Sequence, residues 1–149
     1  MPRKEFVRLM EENIVTLQRL GDRLKLDPAN LSGFPRQQLT TLVRLHTGGR
    51  AKLKDIAMRE AVTTPNLCAS FRRLEKDGLV QRTIDENDRR NTWYSVTHKG
   101  SILAEHALEL FRQGVEQLFK EISAEDEKKL TDAMKTMNEI VLKMEKSNA

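Results

Sequence analysis

Two adjacent arginines, Arg89 and Arg90, stand in a charged, turn-forming stretch, residues 87–91, between two short segments of strand-like composition. A guanidinium at the tip of such a hairpin can enter the narrow minor groove of duplex DNA, where the electrostatic potential is most negative. We therefore predict that Arg90 enters the minor groove and that Arg89 faces phosphate or an acidic neighbour on the protein. The competing interpretation of Arg90 is an exposed arginine paired with Asp85 or Asp88.

Short polar side chains cluster near the start of a helix predicted over residues 63–77. Backbone N–H groups at a helix start attract phosphate, the Asn66 amide can pair with adenine, and Pro65 can contact a thymine methyl group. Of Arg72 and Arg73, we expect one to reach the DNA backbone and the other to pair within the domain. Lys52 and Lys54 could contact phosphate or belong to a solvated face. The predicted DNA-binding residues are Lys52, Thr63, Thr64, Pro65, Asn66, Ser70, Arg72, Arg73, Arg89 and Arg90.

Helix, strand, charged tip and strand, in that order, form the pattern of a winged helix-turn-helix. The helix over 63–77 can be capped by the Thr63 or Thr64 hydroxyl and ends at Gly78. Its apolar face consists of Leu67, Phe71 and Leu74. A strand is predicted over 79–84, and Trp93 and Tyr94 alternate along the second strand of the wing, so that one faces inward and the other outward.

Five further helices are predicted from apolar residues at helical spacing. The first ends near Pro28, because the residue before a proline avoids helical geometry. Pro35 is placed in the first turn of the second helix, and Thr97 caps a long helix after the wing. Ser123 caps the last helix, with Asp126 at the capping-box position. The five helices are expected over residues 1–27, 35–49, 52–61, 97–122 and 123–146.

The last helix carries an apolar seam at alternating spacings of four and three residues, which suits packing against another helix. The seam consists of Leu130, Met134, Met137, Val141 and Met144. The first and the last two helices are therefore predicted to form a dimer interface. The alternative is a helical bundle closed within one chain.

Composition and charge bound the class of protein. The chain has 149 residues, of which 38% are hydrophobic, enough to fill the core of one domain without disulfides. Its net charge of +4 is distributed unevenly, with +3 in residues 1–49, +4 in 50–99 and −3 in 100–149. The basic part favours a polyanion such as DNA. No signal peptide and no apolar run of ~20 residues is visible, so a cytoplasmic location away from membranes is expected.

Other chemistries find little support in the sequence. A glycine-rich phosphate loop, a nucleophile elbow and paired catalytic acids are absent, so an enzyme is not predicted. His46, His98 and His106 lack metal-ligand spacing and no carboxylate–histidine set converges near them, so neither a metal nor a cofactor is predicted. The single cysteine, Cys68, is expected to be inert, a redox sensor being the alternative.

With these elements placed, the chain resembles the MarR family of transcription regulators over nearly its full length. Three motifs carry the resemblance: Leu53-Lys54-Asp55-Ile56-Ala57, Leu74-Glu75-Lys76-Asp77-Gly78-Leu79-Val80, and Asn87-Asp88-Arg89-Arg90 followed by Thr97-His98-Lys99-Gly100. Family members often carry a long polar residue where Ala69 stands, so DNA shape is expected to contribute to specificity. They often carry an acid where Arg72 stands, so Asp88 is expected to orient the wing alone.

The resemblance implies a mainly α-helical winged helix-turn-helix with a small two- or three-stranded β wing and long terminal dimerisation helices. It implies one domain over 1–149, with a DNA-binding lobe at 35–100 and dimerisation helices at 1–27 and 101–146. The implied function is a homodimeric repressor on a pseudo-palindromic duplex operator, released by a small lipophilic or phenolic effector. A winged-helix module that binds protein, or a redox sensor acting through Cys68, are the alternatives.

Overall fold

The computed structural model describes residues 2–24, 35–60 and 63–147. This part is mainly helical with a small antiparallel sheet, which confirms the predicted winged helix-turn-helix class. By internal packing the chain divides into two units, residues 1–114 and 115–149. In chain order the elements are α1 (Pro2–Arg23), α2 (Arg36–Gly48), β1 (Ala51–Lys52), α3 (Leu53–Glu60), α4 (Thr64–Lys76), β2 (Val80–Ile84), β3 (Thr92–Val96), α5 (His98–Leu118) and α6 (Ala124–Ser147).

A single apolar core lies within residues 35–104 and joins α2, α3, α4, the sheet and the start of α5. The predicted inward face of α4 is buried, and the ring of Phe71 lies 4.4 Å from that of Tyr94, centroid to centroid. Aromatic rings at this distance and tilt attract each other beyond the effect of their burial. The buried core consists of Leu39, Leu42, Leu45, Ile56, Leu67, Phe71, Leu74, Leu79, Val80, Tyr94 and Ala104.

The sheet has three antiparallel strands in the order β1–β3–β2. Strands β2 and β3 form the wing, with Val80 opposite Val96 and Ile84 opposite Thr92. On the other side of β3, Lys52 pairs with Trp93. Lys52 was expected to begin the third helix, which instead begins one residue later. A strand of two residues has no detectable period of its own, because it exists only through pairing with β3.

Helix starts agree with the expectations in part. Pro35 is the N-cap of α2 with an extended backbone (ψ 138°), not a residue of its first turn. Thr63 is the N-cap of α4, but its hydroxyl makes no capping hydrogen bond with a described residue, so that part of the prediction is wrong. The cap of α6 is confirmed, since Ser123 Oγ accepts the Asp126 N–H at 3.1 Å.

Helix α4 ends where the sequence predicts. Gly78 has φ 72°, a conformation that side chains disfavour. Its N–H donates to the carbonyl of Glu75, and the N–H of Leu79 donates to the carbonyl of Leu74 at 2.9 Å. These two bonds form a Schellman motif, which satisfies the last carbonyls of the helix. The chain therefore turns directly from α4 into β2.

The start of α5 is anchored on this turn. Thr97 Oγ1 accepts the Gly100 N–H at 3.1 Å, the predicted cap, and also donates to the Gly78 carbonyl at 2.6 Å. The backbone N–H of Thr97 donates to the Leu79 carbonyl, and Lys99 Nζ donates to the carbonyl of the α4 C-cap residue at 2.9 Å. A β-carbon at Gly100 would overlap the Leu79 carbonyl oxygen. The Thr-x-x-Gly pattern is therefore a packing requirement.

Helices α1 and α6 expose their apolar side chains. The predicted seam of α6 is exposed along its whole length, with Met134, Met137 and Val141 about half accessible. In α1, Phe6 and Leu17 are each 60% exposed. Helix α1 ends at Arg23, and the predicted end near Pro28 lies outside the described residues. Among the described helices, none combines the length and apolar character needed to cross a membrane.

We expect Gly100→Ala to destabilise the fold, because the added methyl group would force α5 away from Leu79. Overpacking of this kind costs about 1–3 kcal/mol in the free energy of unfolding, measured here by urea denaturation followed by circular dichroism. Gly21→Ala is the control, since a β-carbon there meets no described atom within 4 Å apart from its chain neighbours and the backbone of its own helix. Alanine is the better helix former, so Gly21→Ala should raise stability by up to about 1 kcal/mol. Equal stability of the two variants would contradict this account.

Candidate nucleic-acid interface

The start of α4 is exposed and polar, as expected of a recognition helix. Pro65 lies at the first helical positions, where a missing N–H costs nothing. Thr63, Pro65 and Asn66 are exposed, whereas Ser70 is half-buried. Because the Thr63 hydroxyl makes no cap within the described chain, it is available to an external partner. The side chain of Thr64 lies outside the described residues.

The outward face of α4 carries two arginines in its second half. Arg72 and Arg73 are exposed, and within the described ranges neither forms an ion pair. The internal partner expected for one of them is therefore absent from this part of the chain. Ala69, one turn before Arg72 and Arg73, is also exposed and adds no polar group. Both guanidiniums are free to bind an external anion.

Two carboxylates hold the wing turn. Asp85 Oδ1 accepts the Asn87 N–H at 2.9 Å, and Asp88 Oδ1 accepts the Arg90 N–H at 3.0 Å. The turn is closed by the Asn91 N–H, which donates to the Asp88 carbonyl at 2.8 Å. The expectation that Asp88 alone orients the wing is therefore wrong, because Asp85 shares that role. Side chains of this type substitute for backbone turns.

The wing arginines remain unpaired as a result. Asp85 and Asp88 bind backbone N–H groups, and no carboxylate of the described residues lies within ion-pair distance of the guanidinium of Arg89 or Arg90. Both side chains are exposed at the tip. The competing interpretation, in which Arg90 pairs with Asp85 or Asp88, therefore does not hold for the described contacts.

Trp93 links the wing to the rest of the recognition lobe (residues 35–100). Its Nε1–H donates to Asp85 Oδ2 at 3.5 Å, a long hydrogen bond. The guanidinium carbon of Arg50 lies 4.6 Å from the ring centroid, and Lys52 Nζ lies 5.0 Å from it. Lys52 is thus placed against an aromatic ring rather than on an isolated solvated face. Arg50 was missed by the sequence analysis, because its approach to Trp93 depends on the pairing of β1 with β3.

Hydrogen bonds at the start of the wing turn lower the pKa of Asp85. The hydrogen bond from the Asn87 N–H lowers the pKa of Asp85 below its ordinary value of 3.8, against a smaller opposing effect of burial. The indole N–H of Trp93 and the charge of Lys52 lower the pKa further. Inside the lobe, burial raises the pKa of Tyr94, and the Glu75 carboxylate adds to that shift. Asp85 is therefore kept ionised near Lys52 of β1.

A contact outside the wing differs from the expectation that no carboxylate lies near a histidine. His46 Nε2 lies 2.9 Å from Glu105 Oε1, although the sequence analysis found no convergent carboxylate–histidine pair. The hydrogen bond with His46 and the charge of Arg112 lower the pKa of Glu105. The pair joins α2 to α5 across 59 positions of sequence, a separation that hides it from spacing arguments. Within the described ranges no group of three His, Cys, Asp or Glu side chains is placed to hold a metal.

Cys68 is a free, half-buried thiol in α4. It lies on the side of the helix that approaches Tyr94, where its charge would raise the pKa of the phenol. It is not among the exposed residues of the recognition face.

The lobe is similar in sequence to known proteins. A model of the MarR family matches residues 34–92. The homoprotocatechuate degradative operon repressor of Escherichia coli is 32% identical over 77 residues, which are 52% of this chain and 52% of the relative. The chain thus matches about half the length of that relative. The family that matches is the one that the three sequence motifs resemble.

Solved structures of low sequence identity share the fold. Wild-type MarR from Escherichia coli superposes with a TM-score of 0.73 at 20% identity, covering 85% of this chain and 94% of that chain. A mutant MarR from the same organism, complexed with operator DNA, superposes with a TM-score of 0.63 at 19% identity, covering 89% and 95%. The winged helix-turn-helix of this chain is therefore the MarR fold.

Acidification is expected to release Trp93 from Asp85. Because the folded-state pKa of Asp85 is lower than 3.8, its carboxylate interactions are complete above that pH and are lost only as the pH falls through the lower folded-state value. Trp93 is the only tryptophan, so its emission reports this step directly. Asp85→Asn should give the acid-form emission at neutral pH and show no transition.

Far-ultraviolet circular dichroism at the same pH values separates this local change from global unfolding. A wild-type emission change centred above pH 3.8 while the helices remain intact would contradict the assignment.

Proposed function

We propose that this chain, whose residues 34–92 match the MarR family, is a sequence-specific regulator of transcription that binds double-stranded DNA and catalyses no reaction. The observation that carries the proposal is the set of exposed arginines on α4 and the wing, none of which has an ion-pair partner among the described residues. Salt-dependent binding to phosphate needs such free cations. The proposed contacts are Lys52, Thr63, Thr64, Pro65, Asn66, Ser70, Arg72, Arg73, Arg89 and Arg90.

The proposed docking follows from the elements that carry these residues. Helix α4 would enter the major groove with its exposed first turn, where Asn66 can pair with adenine. Arg90, at the wing tip, would enter the adjacent minor groove. The structural neighbour complexed with operator DNA supports this mode of use for the fold.

A homodimer is part of the proposal, with residues 1–27 and 101–146 as its dimerisation segments. The exposed apolar faces of α1 and α6 support it, because faces of this extent mark interaction sites. Two copies of α4 would then reach successive major grooves roughly 34 Å apart on a pseudo-palindromic operator. Repression by blocking access to a promoter is the proposed outcome, supported by the printed name of the relative.

Release by a small lipophilic or phenolic effector completes the proposal. The relative named for homoprotocatechuate degradation supports a phenolic compound as the first one to try. An effector lowers DNA affinity only if it binds the DNA-free state more tightly, and DNA must weaken effector binding by the same factor.

We expect selection of genomic fragments by the purified protein to recover an inverted repeat. Titration of a recovered fragment should show affinity falling steeply with salt. Arg90→Ala should weaken binding by about tenfold and reduce the salt slope by about 1, because one contact to the DNA is lost. Arg19→Ala, on the exposed surface of α1 and on the opposite side of the helix from Phe6 and Leu17, removes the same charge elsewhere and should have little effect.

Weak binding, equal on all fragments and unaffected by Arg90→Ala, would refute the proposal in favour of a protein-binding winged helix. The same titration with homoprotocatechuate present tests the effector. Unchanged affinity would remove that compound from the proposal and leave DNA binding in place.

The dimer is tested by Met137→Lys, which places a charge in the exposed apolar seam of α6. We expect the mass measured by sedimentation equilibrium to shift from dimer toward monomer, because a lysine cannot be buried there unpaired. Glu139→Lys, on the opposite side of the helix, is the control and should remain dimeric. A monomeric wild-type protein, or equal behaviour of both variants, would contradict the proposed interface.

A further inference from the structure

Trp93 brings together three segments that are separate in sequence. Its ring contacts Arg50 before β1 and Lys52 within β1, and its N–H reaches Asp85 at the start of the wing turn. The side chain is half-buried, so that these neighbours restrict it. Cations near an indole face are attracted by its quadrupole, most strongly when they are partly desolvated. The ring thus holds two positive charges at defined positions on the surface.

These two cations lie near one carboxylate, Asp85, whose pKa the charge of Lys52 lowers, but neither forms an ion pair with it. Within the described chain neither Arg50 nor Lys52 is in an ion pair, and Asp85, the nearby carboxylate, accepts N–H groups from Asn87 and Trp93. Two like charges held against one ring repel each other, and an external anion would relieve that repulsion. A guanidinium also offers several N–H donors in a fork that matches phosphate.

We propose that Arg50 and Lys52, held on Trp93, form a phosphate-binding pair that extends the DNA interface from the wing along β1. Trp93 acts as the positioning residue and does not itself contact DNA. The inference rests on the proposed DNA-binding function, which already includes Lys52, and it adds Arg50 as a contact and Trp93 as the residue that positions both.

The register of the sheet places the pair beside the wing. Lys52 pairs with Trp93, the second residue of β3 after the wing turn. The side chain of Lys52 therefore lies close to that turn. An arginine or lysine on an open surface loses rotamer freedom when it binds phosphate, and the ring has already restricted both side chains. The expected consequence is tighter binding to the DNA backbone of any sequence.

The first test counts phosphate contacts through the salt slope. A labelled mixed-sequence duplex of about 30 base pairs, long enough for two half-sites one helical turn apart, is titrated at several salt concentrations. Arg50→Gln with Lys52→Gln should reduce the slope of log affinity against log salt by about 1.8 per subunit that engages the duplex. The control, Lys135→Gln with Lys143→Gln on α6, removes the same charge and should leave the slope unchanged.

The second test separates positioning from charge. Trp93→Leu keeps both cations but removes the ring, so affinity should fall by about fivefold or more with the slope unchanged. Trp93→Phe restores an aromatic face without the indole N–H and should recover most of the affinity. Circular dichroism melting of each variant shows whether the fold is retained, and the Phe variant answers the question if the Leu variant does not fold.

The outcomes distinguish this inference from the proposed function. If the wild-type protein binds the duplex and Arg90→Ala weakens it, while the Arg50 and Lys52 variant matches its control, the inference is wrong and the proposed function stands. Equal losses for Trp93→Phe and Trp93→Leu would likewise refute the positioning role. If the wild-type protein binds no duplex at low salt, the proposed function fails and this inference fails with it.

Discussion

The close approach of α5 to the turn after α4 is the constraint on which the recognition lobe depends. Gly100 lies against the Leu79 carbonyl, and Thr97 donates hydrogen bonds to the carbonyls of Gly78 and Leu79 in the turn. Because the N–H of Thr97, the residue before α5, also extends the β2–β3 pairing by donating to the Leu79 carbonyl, the direction of the recognition helix, the start of the wing and the start of α5 are set together. Any side chain at position 100 disturbs all three at once.

The wing turn is held by hydrogen bonds to its own carboxylates and not by close packing of helices. Its acidic residues, Asp85 and Asp88, bind backbone N–H groups, and this arrangement leaves the neighbouring arginines without an ion-pair partner among the described residues. A turn that is stabilised by its own carboxylates can present guanidiniums without depending on them for its conformation. The lowered pKa of Asp85 agrees with this, because the hydrogen bond from Asn87 favours the charged form. In the wing, the acidic side chains therefore hold the turn, and the arginine side chains remain available for binding.

The distribution of apolar surface separates the lobe from the long helices. The described part of the lobe has an apolar core around Phe71 and Tyr94, from which Met58 and Ile84 are excluded. Helix α6 has no buried residue, although Met134, Met137 and Val141 follow a regular seam. Regular apolar spacing without burial is expected of a surface that packs against a partner, since water contact of this extent is unfavourable.

Local patterns in the sequence determined much of this protein. The apolar face of α4, its end at Gly78, the capping residues Thr97 and Ser123, and the charged wing tip could all be predicted, because each depends on residues within a few positions of one another. The family resemblance rested on the same short motifs. The candidate contacts on α4 and the wing tip were likewise identified from residue type and position, and their exposure is observed except for the half-buried Ser70 and the undescribed Thr64 side chain.

Only the tertiary structure decided the contacts that join distant segments. Strand β1 exists through its pairing with β3, and that pairing brings Arg50 and Lys52 onto Trp93. The same reason applies to the pair of His46 and Glu105, 59 positions apart. Periodicity and capping describe a single element, whereas these contacts depend on how elements pack, which is a property of the whole core.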